Sequence, residues 1–342
     1  MIKRTYLFKK NGKMNEVYTL QNGIGEVDIL TYGARITRIW MPDRNGKYED
    51  LAVGCAKVED YYGENPYFGA TIGRYGNRIG GGKFTLNGQV YRLEKNEGNN
   101  VLHGGNTSNF DRQIWDARIE DDTLVLSHIS KDGAGGFPGN LQVEVRFSLT
   151  AENELAIEYR AISDKDTVCN LTNHTYFNIG GQETVLGHEL MIKSHKITPV
   201  DDELIPHGTY MDIDDTPYSF FTAKTLGQDM FSDAPFIKQC NGYDFNYCIE
   251  RATKRDLEHF AYVYDRETGR RMDCYTTLPG VQLYTACATG GFQGKKAYVN
   301  HCALCLETQG YPNSPNCPEY PSTVLRAGEI YSEKTVYRFS VK

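Results

Sequence analysis

Apolar and polar residues alternate with a period of two along much of the chain. From Leu141 to Leu149 every second residue is apolar, and Leu155, Ile157 and Tyr159 continue the alternation in the next segment. This period is typical of β-strands that bury one face and expose the other. We therefore predict two neighbouring strands in this part of the chain.

Turn signals separate such runs elsewhere. The pair Asn87-Gly88 between two apolar runs predicts a two-residue hairpin, and residues 267–269 predict a second hairpin tip. Helical periodicity is weak, so only short helices are expected, within 224–231 and 251–259. An earlier pair of strands is marked by Val27, Ile29, Ile36, Ile39 and Trp40.

The chain has 342 residues, 40% of them hydrophobic, and contains no linker, low-complexity tract or internal repeat. This length suits one large β domain or two ordinary domains. The strand pattern favours the first. We predict an all-β fold, a large antiparallel β-sandwich in which residues 1–342 form a single domain of two packed sheets. A small polar ligand would then bind on a concave sheet face or at loop ends.

Charge and cysteine content narrow the classes of partner. The net charge of -7 argues against nucleic acid and acidic membrane surfaces. No apolar run approaches 18 residues, and the nine cysteines are odd in number and scattered, so we expect a soluble, cytosolic protein with reduced thiols. Cys302 and Cys305 have a zinc-like spacing, but no second such pair or paired histidine follows, so we expect them in a β core.

One carboxylate lies in a setting suited to catalysis. Glu307 ends an apolar run that breaks into a loop rich in proline and asparagine. Apolar surroundings raise the pKa of a carboxyl group toward neutrality, which a general base at pH 7 requires. Glu307 is therefore a candidate general base.

Other polar residues occur in separate segments. The glycine-rich stretch 73–82 lacks the Lys-Ser/Thr ending of a phosphate loop, and we interpret it as a tight turn that brings Asn77 and Arg78 into a cleft. His103 is flanked by apolar residues and glycines, and His174 lies in a β-like run with polar neighbours. Asp244 lies between aromatic residues and is suited to accepting hydroxyl protons from a sugar.

A metal site is not predicted. His103 and His174 are 71 residues apart, and the chain has no HxH or HExxH motif. No cofactor motif is present either.

The segments around these residues resemble, in order and over nearly the whole chain, those of the aldose 1-epimerases, or galactose mutarotases. The resemblance implies an antiparallel β-sandwich with a cleft across one sheet, and a monosaccharide substrate without a cofactor. It aligns Glu307 with the general base of the family and His174 with the general acid. It aligns five residues with sugar-binding positions: Asn77, Arg78, His103, Asp244 and Gln282.

Two departures from the family pattern bear on sugar preference. Family members often have a histidine after the binding aspartate, where this chain has Phe245, and an aspartate where it has Asn313. The implied reaction opens a cyclic hemiacetal and closes it on the other face, which a carboxylate and an imidazole suit as proton acceptor and donor near neutral pH. We expect a monomer or a homodimer.

Three alternatives stay open. A hexose-6-phosphate epimerase would need a cationic clamp, which Arg74 or the cations of 251–255 (Arg251, Lys254 and Arg255) could supply. A glycosidase would need a second carboxylate in a suitable setting. A silent sugar-binding module would have lost the acid or the base, and this chain retains both Glu307 and His174.

Overall fold

A computed structural model describes residues 1–10, 12–253 and 256–342. Strands dominate it, and every paired strand runs antiparallel to its neighbours in the ladders. The strands of the first part are β1 (Ile2–Lys10), β2 (Lys13–Gln21), β3 (Glu26–Leu30), β4 (Arg35–Pro42), β5 (Tyr48–Asp50), β6 (Ala52–Val53), β7 (Thr71–Ile72), β8 (Arg78–Ile79), β9 (Lys83–Leu86), β10 (Gln89–Arg92), β11 (Val101–Leu102), β12 (Asp116–Glu120), β13 (Thr123–Ser130), β14 (Leu141–Leu149) and β15 (Glu154–Ser163).

The second part of the chain has fewer long strands and the α-helix of the described residues, α1 (Pro235–Cys240). Its strands are β16 (Thr167–Val168), β17 (Thr172–Asn173), β18 (Tyr176–Phe177), β19 (Glu189–Ile192), β20 (Lys196–Ile197), β21 (Met211–Asp212), β22 (Lys224–Thr225), β23 (Asp244–Cys248), β24 (Glu258–Tyr264), β25 (Arg270–Thr276), β26 (Gly280–Tyr284), β27 (Cys305–Gln309), β28 (Val324–Leu325) and β29 (Ile330–Val341). Short 3-10 turns lie at Val58–Tyr62, Gly80–Gly82, Phe110–Arg112, Ala134–Gly136, Leu226–Gln228 and Ser314–Asn316.

Three sheets make up most of the fold. The largest has nine strands in the order β12-β13-β14-β15-β29-β25-β24-β19-β22. A five-stranded sheet has the order β1-β2-β3-β4-β5, and another has the order β21-β20-β23-β26-β27. Two-stranded ladders such as β8 with β11 and β7 with β17 connect the loops at one side. The predicted antiparallel β-sandwich is confirmed, but it has three main sheets where we predicted two. The single-domain organisation stays a prediction.

The alternation in β14 and β15 produces the predicted geometry. Phe147 and Val145 on β14 are fully buried and lie opposite Ile157 and Tyr159 on β15, which are buried as well. Fully burying one such side chain contributes roughly 1.5–3 kcal/mol, so a single row of these pairs stabilises the sheet substantially.

The core lies between the sheets. Val27 on β3, Phe147 on β14 and Val281 on β26 belong to one buried apolar cluster, which therefore joins all three sheets. The hydroxyl of Tyr337 on β29 donates a 2.8 Å hydrogen bond to the carbonyl of Leu306 on β27. The nine-stranded sheet thus packs directly behind β27, and the opposite face of β27 is left to form a cleft.

The local predictions had mixed outcomes. Asn87 and Gly88 have φ of 52° and 77° and join β9 to β10, which confirms the hairpin. The hairpin at 267–269 joins β24 to β25 and is confirmed. The helix predicted within 224–231 is wrong, because strand β22 pairs with β19 there and only a 3-10 turn follows.

The helix predicted within 251–259 is also wrong. Glu258 begins strand β24, which pairs along its length with β25. Lys254 and Arg255, from the same prediction, lie outside the described residues. No helix among the described residues is long and apolar enough to cross a membrane.

Candidate functional site

The cleft floor consists of three neighbouring strands, β23, β26 and β27. Their register aligns Asn246, Gln282 and Glu307 in one row across the sheet. The period of two in each strand directs these side chains to the cleft face. The alternate residues of the same strands, such as Phe245 on β23 and Leu306 on β27, point to the opposite face and are buried in the core. Polar and apolar faces of one sheet therefore place the cleft and the core on opposite sides.

Glu307 lies at the centre of this floor. Its side chain is only 3% exposed, and its Oε1 lies 3.5 Å from Nε2 of His174. Its Oε2 is buried and makes no hydrogen bond to the described residues. Burial raises the pKa of Glu307 well above its usual range, with a further contribution from the charge of Asp244, while the charge of Arg78 opposes the rise. A carboxyl group with a raised pKa is suited to proton exchange near neutral pH.

His174 approaches Glu307 from the chain segment between β17 and β18. Its backbone N–H donates to the carbonyl of Ala70, and its own carbonyl accepts from Gly69, so both sides of the peptide are fixed. The imidazole is only 6% exposed, and burial lowers the pKa of His174 to about 3. The ring stacks nearly parallel to Tyr176, with centroids 5.0 Å apart. Backbone bonds and ring packing thus hold the imidazole in one orientation.

His103 has a defined proton position. The backbone N–H of Asn77 donates to Nδ1 of His103 at 3.1 Å, and the N–H of His103 donates to the carbonyl of Asn77. Burial, with the charges of His174 and Arg78, lowers the pKa of His103 well below its usual value. Because Nδ1 accepts a hydrogen bond, the neutral ring carries its proton on Nε2 and acts as a donor there.

Asn77 and His103 are both in the left-handed region, with φ of 61° and 54°. Asparagine tolerates this conformation better than most residues, and the reciprocal hydrogen bonds between the two residues stabilise it. The glycine-rich stretch therefore forms the tight turn that the sequence predicts.

Arg78 is held by a residue that the sequence analysis did not select. Its Nε and Nη2 donate to the two carboxylate oxygens of Glu97 at 2.7 and 2.8 Å. Burial lowers the pKa of Arg78, but the hydrogen bond to Glu97 and the nearby charge of Asp244 outweigh it and raise the pKa. The guanidinium is therefore fixed and always charged next to the cleft.

Asp244 and Gln282 are joined by hydrogen bonds that continue into the floor. Nε2 of Gln282 donates to Oδ1 of Asp244 at 2.7 Å. Nε2 of Gln309 donates in turn to Oε1 of Gln282 at 3.2 Å and to Oδ1 of Asn246 at 3.1 Å. A carboxylate oxygen can only accept a hydrogen bond, so Gln282 turns its Nε2 toward Asp244 and its Oε1 toward Gln309. The chain of amides fixes which atoms of Gln282 and Asp244 a ligand meets.

Three of these groups are close enough for a metal ion. The ligand atoms of His103, His174 and Glu307 all lie within 4.8 Å of one another. A metal needs a free lone pair on each ligand, but His103 already uses Nδ1 to accept from Asn77 and carries a proton on Nε2. The donors therefore fit a metal poorly, and the absence of a metal stays a prediction.

Comparison of the whole chain with known proteins identifies its family. The aldose 1-epimerase family model matches residues 16–338. The chain belongs to the aldose 1-epimerase family. It is 38% identical to the galactose mutarotase of Sus scrofa over 331 residues, which cover 95% of this chain and 94% of that protein. It is 34% identical to the aldose 1-epimerase of Escherichia coli K12 over 346 residues, which cover 99% of each.

Solved structures agree with this membership of the aldose 1-epimerase family. A galactose 1-epimerase from Lactobacillus acidophilus superposes with a TM-score of 0.87 at 25% identity, covering 100% of this chain and 98% of that one. An aldose epimerase homologue from C. elegans superposes with a TM-score of 0.85 at 27% identity, covering 93% and 96%.

The two departures from the aldose 1-epimerase pattern differ in location. Phe245 enters the core, and its ring lies 5.6 Å from that of Tyr218, on the opposite side of β23 from the cleft. Asn313 is buried and joins two loops, because its Oδ1 accepts from the N–H of Gly80 and its Nδ2 donates to the carbonyl of Pro206. An aspartate at 313 would retain the first of these bonds and lose the second.

The phosphate clamp considered for a 6-phosphate epimerase does not form at Arg74. This side chain is buried, and its guanidinium donates to the carbonyls of Ser130, Pro138 and Gly139. Arg251 is likewise engaged, because it donates to loop carbonyls, among them that of Thr253. In the described part of the chain, neither arginine is free to bind a phosphate.

Sequence reasoning missed several residues of the site. Glu97 orients Arg78, Gln309 orients Gln282, and Tyr67 packs its ring edge-on against His103 at 4.7 Å. The period of two in β27 would have predicted Gln309, since it lies two residues from Glu307 on the same face. The contacts of Glu97 and Tyr67 form between loops that are distant in the sequence, so no local pattern predicts them.

Proposed function

We propose that the protein is an aldose 1-epimerase that interconverts the α and β anomers of free hexoses such as galactose and glucose. Family membership supports the reaction, and the names of the galactose mutarotase relatives support galactose as a substrate. The observation that carries the residue assignment is the 3.5 Å approach of Glu307 Oε1 to His174 Nε2 on the floor of a polar cleft.

In the proposed ring opening, the carboxylate of Glu307 removes the proton from the hydroxyl on C1. The electron pair of that O–H bond forms the aldehyde, the bond between C1 and the ring oxygen breaks, and the ring oxygen takes a proton from Nε2 of His174. Rotation about the C1–C2 bond turns the other face of the aldehyde toward the hydroxyl oxygen that closes the ring. In closure each proton moves back, so Glu307 and His174 exchange the roles of base and acid.

The opposite pKa shifts support this cycle. Burial favours a protonated Glu307 and a neutral His174, and these are the forms that the two residues have when the sugar is open. The proposed ring opening therefore runs from the less populated ion pair to the protonation states that burial favours.

The remaining residues are proposed to bind the sugar. The always-charged Arg78 and the Nε2–H of His103 would donate to sugar oxygens and stabilise negative charge that develops on them. Asp244 and Gln282, joined by their own hydrogen bond, would accept from and donate to hydroxyl groups. Asn77 would bind the sugar, and its backbone N–H, which donates to Nδ1 of His103, would keep the proton of that ring on Nε2.

The proposed setting is the cytosol, with a free monosaccharide as substrate and either a monomer or a homodimer as the active species. All nine cysteines are free, which suits a reducing compartment.

Polarimetry tests the substrate. Fresh α-galactose, α-glucose and a hexose 6-phosphate are each added to the protein, and the decay of optical rotation is compared with buffer. Acceleration with the free sugars supports the proposal. Acceleration with the 6-phosphate alone would contradict the proposed substrate, and none with any sugar would contradict the function.

A further inference from the structure

A cysteine contacts the nitrogen of His174 that the proposed reaction does not use. The sulfur of Cys305 lies 3.5 Å from Nδ1 of His174, whereas Glu307 approaches Nε2. We propose that Cys305 is a positioning residue that holds His174 through Nδ1 and thereby reserves Nε2 for proton exchange with the sugar. This inference rests on the proposed role of His174.

The geometry follows from strand β27. Cys305 and Glu307 are two residues apart, so they lie on the same face of the strand, about 7 Å apart along it. An imidazole has its two nitrogens on different sides of the ring, and this spacing lets one strand contact both. A single element therefore sets the position of His174 relative to the base.

The thiol suits both protonation states of the ring. When His174 is an imidazolium, its Nδ1–H donates to the sulfur, and after Nε2 has given its proton to the ring oxygen, the neutral ring retains that same Nδ1–H bond. Only the proton on Nε2 is transferred, and the sulfur neither gains nor loses one in the cycle.

A weak acceptor is also appropriate for an acid. A carboxylate at Nδ1 would stabilise the imidazolium strongly and make it a poorer proton donor, whereas sulfur accepts only weakly. Burial, reinforced by the charge of Glu307, raises the pKa of Cys305 well above its usual value, so the thiol stays neutral. The contrast with His103 is clear, because its Nδ1 accepts from Asn77 and its Nε2 proton is therefore fixed.

The groups around His174 leave Nδ1 to Cys305. The hydroxyl of Tyr176 donates to the carbonyl of Pro66, so the stacked ring contacts His174 without a hydrogen bond. The titratable and charged groups that face His174 are Glu307 and Cys305 of β27, Tyr284 of β26, Tyr176 of β18, His103, Tyr67 and the more distant charge of Arg35.

The test compares Cys305→Ala and Cys305→Ser with Cys302→Ala. Cys302 is an equally buried thiol in the same apolar cluster, and its sulfur contacts Thr289 rather than His174. With α-galactose, we expect Cys305→Ala to lower kcat about tenfold with KM changed less than about twofold, which is the split expected for loss of transition-state stabilisation. Cys305→Ser should restore most of kcat, and Cys302→Ala should leave kcat unchanged.

The pH profile gives a readout that a merely structural role would not move. Because the pKa of His174 is lowered and that of Glu307 is raised, His174 sets the acid limb of the kcat profile and Glu307 sets the alkaline limb. Loss of the acceptor at Nδ1 destabilises the imidazolium. The acid limb should therefore move to lower pH in Cys305→Ala, while the alkaline limb stays. An acid limb and a kcat like those of Cys302→Ala would overturn the proposal.

Imidazole ¹⁵N spectra separate this proposal from the proposed function. The Nδ1 resonance of His174 should shift in Cys305→Ala and not in Cys302→Ala, and this can be measured without any substrate. A shift in a protein that fails to accelerate mutarotation would leave the contact in place and reject the function. Identical Nδ1 resonances in all variants would overturn the role of Cys305. If Cys305→Ala does not fold, the same comparison is made between the wild-type protein and Cys305→Ser.

Discussion

Oε1 of Glu307 lies 3.5 Å from Nε2 of His174, and the two side chains are 3% and 6% exposed. Burial moves their pKa values in opposite directions, raising that of Glu307 and lowering that of His174 to about 3. The pair therefore favours the state in which Glu307 is protonated and His174 is a neutral imidazole. In the proposed reaction Glu307 takes a proton from the C1 hydroxyl while His174 gives one to the ring oxygen, and closure reverses both transfers.

Removing either proton-transfer group should abolish most of the activity. Glu307→Gln and His174→Asn each retain the approximate shape and remove one proton acceptor or donor, so we expect kcat to fall by about 10² to 10⁴. Sugar binding should persist, because the proposed binding residues are unchanged. Initial rates and equilibrium binding of galactose measure the two effects separately. Rates within twofold of wild type would remove the altered residue from the mechanism.

The stability of the protein should depend on the neutral state of His174. An unfolded histidine gains its proton below about pH 6.5, whereas folded His174 resists protonation down to about pH 3. The unfolded state therefore binds more protons, and the free energy of unfolding falls as pH decreases through this window. Urea unfolding at a series of pH values should give a slope smaller by about one proton in His174→Asn. An unchanged slope would contradict the assigned protonation state.

Glu97 should matter through Arg78. The two residues form a bidentate ion pair at 2.7 and 2.8 Å, and Glu97→Gln removes its charge and one of its two acceptors. We expect kcat/KM to fall roughly tenfold, because the guanidinium loses its fixed orientation. Steady-state kinetics measure this effect. Glu203→Gln is a matched control, because the carboxylate of Glu203 accepts from Nδ2 of Asn100 and, among the described residues, not from an arginine. Equal effects of the two substitutions would contradict the specific role of Glu97.

Arg74 should affect stability and not phosphate recognition. Replacement by methionine leaves buried carbonyls of Ser130, Pro138 and Gly139 without their donor, which should cost about 3 kcal/mol or more. Urea unfolding measures the loss, and the exposed Arg118→Met is the control. A variant with wild-type stability and altered activity toward a sugar phosphate alone would contradict this account.

The fold was largely predictable because local pattern and tertiary structure agree. The alternation from Leu141 to Leu149 and the Asn87-Gly88 turn each specify a face or a turn without reference to distant residues. The two predicted helices failed where tertiary pairing prevails. Lys224–Thr225 pairs with β19, and Glu258 begins a strand that pairs with β25.

The candidate site was predictable only in part. The resemblance supplied the residues that we propose bind and react with the sugar, and the register of β26 and β27 brings Gln282 opposite Glu307. The supporting residues come from contacts that the sequence does not encode locally. Glu97 reaches Arg78 from another loop, and Cys305, which its spacing indicated as a core residue, is indeed buried but also contacts His174.

The most direct measurement of the central claim is the polarimetric decay of fresh α-galactose with wild-type protein, Glu307→Gln and the exposed control Glu319→Gln at equal concentration. The account predicts a decay faster than buffer for wild type and for Glu319→Gln, and a decay close to that of buffer for Glu307→Gln. A wild-type decay equal to buffer, or full activity in Glu307→Gln, would contradict it.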